Sequence, residues 1–332
     1  MNIIKEKAKL FVNGYPSIFG YAFKGNVDYN IKEGKVGLFK LKEWDFYQIT
    51  STKFSFYAII GHVSYATSIN CTLFDFETKK TIYVGKLLPF KKVKMDNNAS
   101  IDSNVLYQDK DYYLEFKKDN KNRFITFNAN NKEYGNCCAN IELEETQDDN
   151  ILVCTPFNKK KQFYLNQKAC LLKAKGYVKF GDLKYDFMEN ESFGLLDWGR
   201  GVLPFKHEWV WGSGSGIVNG KYFGFNIGKF GNNENGTENI FFYDGKSYKL
   251  GQVDIAFNKD NYMDDWTYQS DDESFVFKMK PVYDNFTKTK ALWVDNSCHQ
   301  VFGFFNGYVK IDDKKIEINN FWAFTENAHN RW

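Results

Sequence analysis

From Trp44 onward the chain alternates apolar and polar residues with the two-residue period of a β-strand, and nowhere does it hold a helical period for long. YQITSTKFSFYAIIGHVSYA and INCTLFDF are rich in β-branched and aromatic residues, and DFETKK after them reads as a turn. TIYVGKLLPF leads into a polar loop over residues 95–104. DYYLEFKKDNKNRFITFN then has the pattern of a hairpin around Asp119-Asn120, followed by CCANIELEET and an acidic loop at residues 147–150. In the second half Asn219-Gly220, Asp244-Gly245 and Asn306-Gly307 each lie between aromatic strands, which predicts two-residue hairpin turns. Asn235-Gly236 sits in a longer polar loop. No amphipathic helix of more than two or three turns is expected.

The same grammar occurs twice. Glu43-Trp44 recurs as Glu208-Trp209, CTLFDFETKK lines up with NIFFYDGKSYK, and YLEF with FVFK. Tyr134-Gly135 followed by Ile141 matches Phe302-Gly303 followed by Val309. The markers keep their order and are spaced by roughly half the chain. They predict an all-β protein of two antiparallel barrels related by duplication, one over residues 1–168 and the other over 169–332. Strands without covering helices must close into barrels or pair into sandwiches, and small aromatic-rich barrels either fill with side chains or hold one small ligand.

Chemistry concentrates in residues 194–216, GLLDWGRGVLPFKHEWVWGSGSG. On an extended strand Trp209, Trp211, Ser213 and Ser215 share one face, and Glu208, Val210, Gly212, Gly214 and Gly216 the other. Two indoles and two hydroxyls make an amphipathic wall suited to a concave site; the alternative is that the indoles are core and the glycines ease the bend of a curled sheet. Asp197 has aromatic neighbours, and desolvation would make it a proton donor. Arg200, three residues on, could instead hold it ionised as a buried pair. His207 and His299 are further polar candidates, although each points away from its acidic or amide neighbour on a strand. Glu238-Asn239 and Glu326-Asn327 read as groups that satisfy turn backbones.

Composition narrows the classes. Aromatic residues make up 19% of the 332 residues, and 44 basic against 41 acidic residues leave a net charge of +3. That balance gives no argument for nucleic acid or anionic membranes, and the lysine run at residues 159–161 reads as a solvated loop. Six cysteines without C-x-x-C spacing read as free thiols of a reducing cytoplasm. Four isolated histidines offer no metal site, and no cofactor loop is present: GSGSG is not followed by a helix, as a nucleophile elbow or phosphate loop requires. The N-terminal residues lack the h-region of a secretory signal, and no apolar run is long enough for a membrane span.

DWGRGVLPF, WVWGSGSG, GFNIG, TENIFFYDGKSYKL, PVYDN, HQVFGFFNGYV and TENAHNRW, with LLPFKKVKM and FYLNQKACLLKAKGYVKFG upstream, resemble an uncharacterised bacterial domain-of-unknown-function family. That family is similar to the lipocalin-like (calycin) proteins, distantly to the carotenoid hydratases (hydroxyneurosporene synthases) and tocopherol cyclases. The resemblance implies two tandem lipocalin-like barrels, the second carrying DWGRG and WGSGSG. The distant relatives use an acidic residue near an Asp-x-x-Trp-Gly-like motif, whereas Asp197-Trp198-Gly199 lacks the two intervening residues. The first expectation is therefore binding of a hydrophobic or amphipathic small molecule in an aromatic-lined cavity of the C-terminal barrel, involving Trp198, Arg200, Trp209, Trp211, Ser213, Ser215 and His299. Alternatives are a hydratase or cyclase with Asp197, or His207, as its acid, a carbohydrate-binding or glycoside-active protein, and filled barrels that act through their surface.

Overall fold

The computed structural model describes residues 2–37, 39–63, 65–230, 236–291 and 294–331. The first sheet contains β1 (Lys42–Thr50), β2 (Phe54–Val63), β3 (Ala66–Asp75), β4 (Lys80–Pro89), β5 (Ser103–Gln108) and β6 (Tyr112–Asp119). It continues with β7 (Asn122–Asn131), β8 (Gly135–Glu145), β9 (Ile151–Pro156), β10 (Phe163–Phe180), β11 (Leu183–Phe187) and β12 (Phe193–Val202). The second sheet has β13 (Lys206–Val218), β14 (Lys221–Phe230), β15 (Ile240–Tyr243), β16 (Lys246–Lys249) and β17 (Val253–Ala256). Its remaining strands are β18 (Trp266–Ser270), β19 (Phe275–Ala291), β20 (Val294–Ile311) and β21 (Lys314–Arg331). Among the described residues the helical content is a single short 3-10 turn, Ile31–Glu33.

The spatial order β5-β6-β7-β8-β10-β12-β1-β2-β3-β4 of the first sheet matches β17-β18-β19-β20-β21-β13-β14-β15-β16 of the second, strand for strand, except for the extra β12. Both are curled antiparallel sheets, as two tandem barrels require. Trp44 in β1 and Trp209 in β13 occupy equivalent strands, as do the repeat markers in β3 and β15 and in β8 and β20. YLEF and FVFK do not: the first lies in β6, the second in β19, whose counterpart is β7. Two similar aromatic strands side by side let that alignment slip by one. The chain leaves the first sheet after Val202 and enters the second at Lys206, whereas position 168/169 falls inside β10. DWGRG thus belongs to the first sheet.

The hairpin turns at Asn219-Gly220 and Asp244-Gly245 have positive φ at both central residues, 52° and 72°, then 53° and 75°, the geometry that matches strand twist. Asn306-Gly307 is not a turn. It sits within β20 at a register shift between Phe305 and Gly307, where a glycine is needed because a Cβ would overlap the Val276 carbonyl of β19.

Alternation divides each strand between two cores. The concave interior of the first sheet is filled by residues such as Tyr47, Ile49, Phe56, Phe127, Leu143 and Trp198. That of the second is packed with Phe223, Phe225, Trp266, Tyr268, Phe277 and Phe305. A third core, including Phe74, Tyr164, Leu195, Trp211, Phe302 and Phe324, joins the outer faces of the two sheets. The wall carrying Trp209 and Trp211 therefore faces the other sheet, and the interior of the C-terminal barrel, where a ligand was expected, is occupied by side chains. At the chain end β21 runs to Arg331; Trp332 lies outside the described residues.

Candidate active site between the two sheets

A cavity of about 320 Å³ opens within the third core, with walls from β1, β2, β3, β10 and β12 of one sheet and β13, β14, β20 and β21 of the other. Its apolar surface comes mainly from Trp44, Phe46, Ile59, Trp209, Trp211 and Phe230, and its polar groups include Glu43, Ser68, Tyr164, Lys168, Asp197, Glu238 and Glu326. Volumes of roughly 300–1,000 Å³ with mostly apolar walls and few convergent polar groups are typical of small-molecule sites.

Asp197 reaches this cavity from β12, but Arg200 is not its partner. On an extended strand residues three apart face opposite ways. Arg200, with Trp198, points into the first barrel, where the guanidinium lies 2.9 Å from Asp45 and 2.7 Å from Asp96 and 4.0 Å above the Trp198 ring. Trp198 Nε1 donates to Asp96 at 2.5 Å. Neither residue lines the cavity. Asp197 is instead 2.9 Å from the Lys168 ammonium and accepts a 2.6 Å hydrogen bond from Asn166 Nδ2. Lys168 Nζ in turn sits 3.7 Å from the centroid of the Trp211 indole, a cation–π contact in a dry setting.

Glu326 faces this pair from β21. It is 8% exposed, and its Oε1 accepts a 2.7 Å hydrogen bond from Trp209 Nε1. Oε2 is approached by Gln300 Nε2 at 3.4 Å and the Cys298 thiol at 3.8 Å. Burial pushes the carboxyl up to about 7, with the Trp209 hydrogen bond opposing and the charge of Asp197 adding to the rise. Burial and the Glu326 carboxylate push the Cys298 thiol well above its usual range, which keeps it protonated. Glu238, from the segment before β15, is also raised, by burial first, with Lys168 opposing and Asp197 reinforcing. Its Oε2 has no hydrogen-bond partner among the described residues. Gly228 makes its place: a Cβ there would overlap Glu238 Oε1. Tyr164 stacks on Trp44 at 6.0 Å, and burial with three nearby carboxylates keeps its phenol protonated.

The other expected residues fall elsewhere. Ser213 Oγ donates to the Phe225 carbonyl at 2.9 Å. Ser215 accepts from the Leu171 amide at 2.9 Å, holding a bulge of β10 in which Leu171 has φ 58°. Both line a separate cleft of about 570 Å³ with Thr50, Glu191, Glu317 and Trp322, which gathers no comparable set of buried titratable groups. His207 stacks on Trp209 at 5.6 Å and contacts the Pro204 carbonyl. His299 is clamped by Asp284 at 2.8 Å and stacks on Tyr262 at 3.7 Å, on the opposite face of β20 from Cys298. Of the nine expected site residues, then, Asp197, Trp209 and Trp211 meet in the cavity. Sequence reasoning missed Trp44, Tyr164, Lys168, Glu238 and Glu326. One signal was available for the last two: the tripeptide Thr-Glu-Asn occurs at residues 237–239 and again at 325–327, and each copy delivers its glutamate to the cavity.

The sequence profile of DUF2804, a domain of unknown function, matches residues 1–332. The chain belongs to this family. Comparison with curated proteins gave no match. Among solved structures it is similar to CghA, at 9% identity and a TM-score of 0.62 over 98% of this chain and 95% of that one. CghA with Sch210972 gives 0.59 at 9% identity over the same shares. Kievitone hydratase from Nectria haematococca gives 0.50 at 12% identity, over 86% and 88%. At such identities the likeness is one of fold alone, an all-β chain of two curled antiparallel sheets. Among the described residues no helix is long and apolar enough to cross a membrane.

Proposed function

We propose that the chain is an acid–base enzyme acting on a largely apolar small molecule held in the cavity between the sheets, by hydration, isomerisation or cyclisation of a double bond. One observation carries this reading: the carboxyl of Glu326, in the cavity wall and held by Trp209, is poised at about 7, so it can both hold and give up a proton at neutral pH. The proton-donor role passes to Glu326 because Asp197 is committed to the Lys168 ammonium. Protonating an alkene places positive charge on carbon. The indole faces of Trp44, Trp209 and Trp211 and the carboxyls of Asp197 and Glu238 surround the space where that charge would develop. Tyr164, protonated among them, can orient a substrate oxygen. The fold shared with a protein named kievitone hydratase adds support. Expected instead of a carbon skeleton rich in hydroxyls is one that matches aromatic walls, which ranks the carbohydrate alternative lower.

The test needs no prior substrate. Purified protein is incubated with metabolite extracts in H₂¹⁸O and in D₂O, and extracts are compared by mass spectrometry with and without Glu326→Gln. Wild type should convert at least one apolar compound, gaining labelled water or a solvent deuteron, and the variant should not. Turnover retained by Glu326→Gln removes the assignment; a compound bound unchanged by both leaves a binding protein without chemistry.

A further inference from the structure

The three most exposed large apolar side chains among the described residues are Phe90 (81%), Phe39 (70%) and Leu87 (66%). Phe39 is distant in sequence from Leu87 and Phe90, yet the strand registers bring all three to one end of the first sheet. Lys42 at the start of β1 pairs with Val63 at the end of β2, and with Gly201 near the end of β12. Ala66 at the start of β3 pairs with Pro89 at the end of β4. The Phe90 amide donates to the Tyr65 carbonyl at 2.7 Å, and Phe39 precedes β1 by three residues. Phe205, 57% exposed, follows β12 at the same end. With strands about 4.8 Å apart, this row spans roughly 20 Å.

The exposed charges of the loops at this end are lysines. Phe163, which opens β10, pairs with Val202, so the lysine run at residues 159–161 stands here too, and Gln162 Nε2 donates to the Leu203 carbonyl. Lys40, Lys91, Lys92, Lys94, Lys159, Lys160, Lys161 and Lys206 are all exposed. The segments that carry them, residues 39–42, 86–95, 158–162 and 203–206, contain no aspartate or glutamate. A net charge of only +3 over the whole chain hides this concentration. The same end leads to the cavity: Val63 and Leu203 are in its wall. Ser68, also in the wall, pairs with Leu87, so Leu87 extends the cavity face outward along the sheet.

We propose that this rim docks on an anionic lipid surface, with Phe39, Leu87, Phe90 and Phe205 entering the headgroup region and the lysines meeting lipid phosphates, so that an apolar ligand reaches the cavity from the bilayer. Exposed aromatic and aliphatic tips ringed by lysine are the combination that interfacial binding uses, apolar burial and charge attraction acting together. A polyanion such as nucleic acid would engage the lysines but leave the phenylalanines in water.

The full-length protein is sedimented with vesicles of phosphatidylcholine alone and of phosphatidylcholine mixed with phosphatidylglycerol. Wild type should bind the anionic vesicles, release them at high salt, and ignore the neutral ones. Phe39→Ser with Phe90→Ser, and separately Lys91→Glu with Lys92→Glu, should each weaken binding roughly tenfold or more. Lys314→Glu with Lys315→Glu, the same charge change at exposed positions that open β21, should leave it unchanged. All six positions are exposed, and circular dichroism checks that each variant is folded. Absence of binding to anionic vesicles, equal loss from the Lys314 and Lys315 pair, or full binding by the serine variant would overturn the proposal. So would DNA binding of equal strength that the serine variant retains.

Discussion

Replacing Glu326 by glutamine should make the protein more stable at pH 8 and leave it no more stable at pH 5. The carboxyl is raised from the usual 4.5 to about 7 in the folded protein, chiefly by burial. The folded chain therefore holds the Glu326 proton where the unfolded chain has released it. This contribution is complete below pH 4.5, declines as pH climbs through the interval to 7, and is gone above it. Two and a half pH units correspond to about 3 kcal/mol, the cost of keeping an ionised Glu326 in the cavity wall at pH 8. Glutamine is nearly isosteric with the protonated acid, and its Oε1 can still accept from Trp209 Nε1. Its Nε2, however, would face the Gln300 amide nitrogen and the Cys298 thiol now directed at Oε2. Gln300 cannot turn freely, because its Nε2 also donates to Gln48 Oε1 at 3.3 Å. That mismatch costs about 1 kcal/mol. The net expectation is a gain of about 2 kcal/mol at pH 8 and almost no change at pH 5, read from urea melts with equal m-values. At pH 5 wild type has already lost about 0.8 kcal/mol of the Glu326 contribution, and the glutamine mismatch offsets it. A difference between variant and wild type that does not change with pH would refute the assignment of Glu326 as the group poised near neutrality.

Two further outcomes follow from the same cluster. Asp197→Asn removes the partner of a buried ammonium and should cost about 3 kcal/mol in a denaturant melt; no loss would mean that the Lys168–Asp197 pair contributes nothing to the fold. The carboxyl surplus around aromatic faces also predicts charge preference. Benzyltrimethylammonium should quench the tryptophan fluorescence at a concentration at least roughly tenfold below its neutral isostere neopentylbenzene, and equal affinities would argue against stabilisation of a cation in the cavity.

Much of the fold was readable because it depends on local pattern. Asn219-Gly220 and Asp244-Gly245 specify turns by their own backbone preferences, and alternation in YQITSTKFSFYAIIGHVSYA specifies strands whatever their neighbours. The duplication survived in Glu43-Trp44 and Glu208-Trp209 because both open the strand on which each sheet is centred. Asn306-Gly307 misled because the dipeptide suits a bulge as well as a turn, and the choice rests on the long pairing of β19 with β20. Local pattern likewise could not place the division between halves, since β12 completes the first sheet although its motif runs on in sequence into β13.

The cavity was harder to read, for a physical reason that Asp197 and Arg200 illustrate. A strand tells which residues share a face but not which face meets solvent, a barrel interior or another sheet. Alternation puts Trp209 and Trp211 on one face, but it does not show that this face meets the other sheet and not the inside of the C-terminal barrel. That interior is packed with Phe223, Phe225, Phe277 and Phe305. Once the outer faces meet, Lys168 from β10, Asp197 from β12, Glu238 before β15 and Glu326 from β21 converge, though they span 158 residues of sequence. No spacing rule links them. Two sheets that stack on their outer faces can build a site from polar residues that each sheet alone would leave in water. Burial then supplies the chemistry, since it is chiefly exclusion of solvent that raises the carboxyl of Glu326 to about 7.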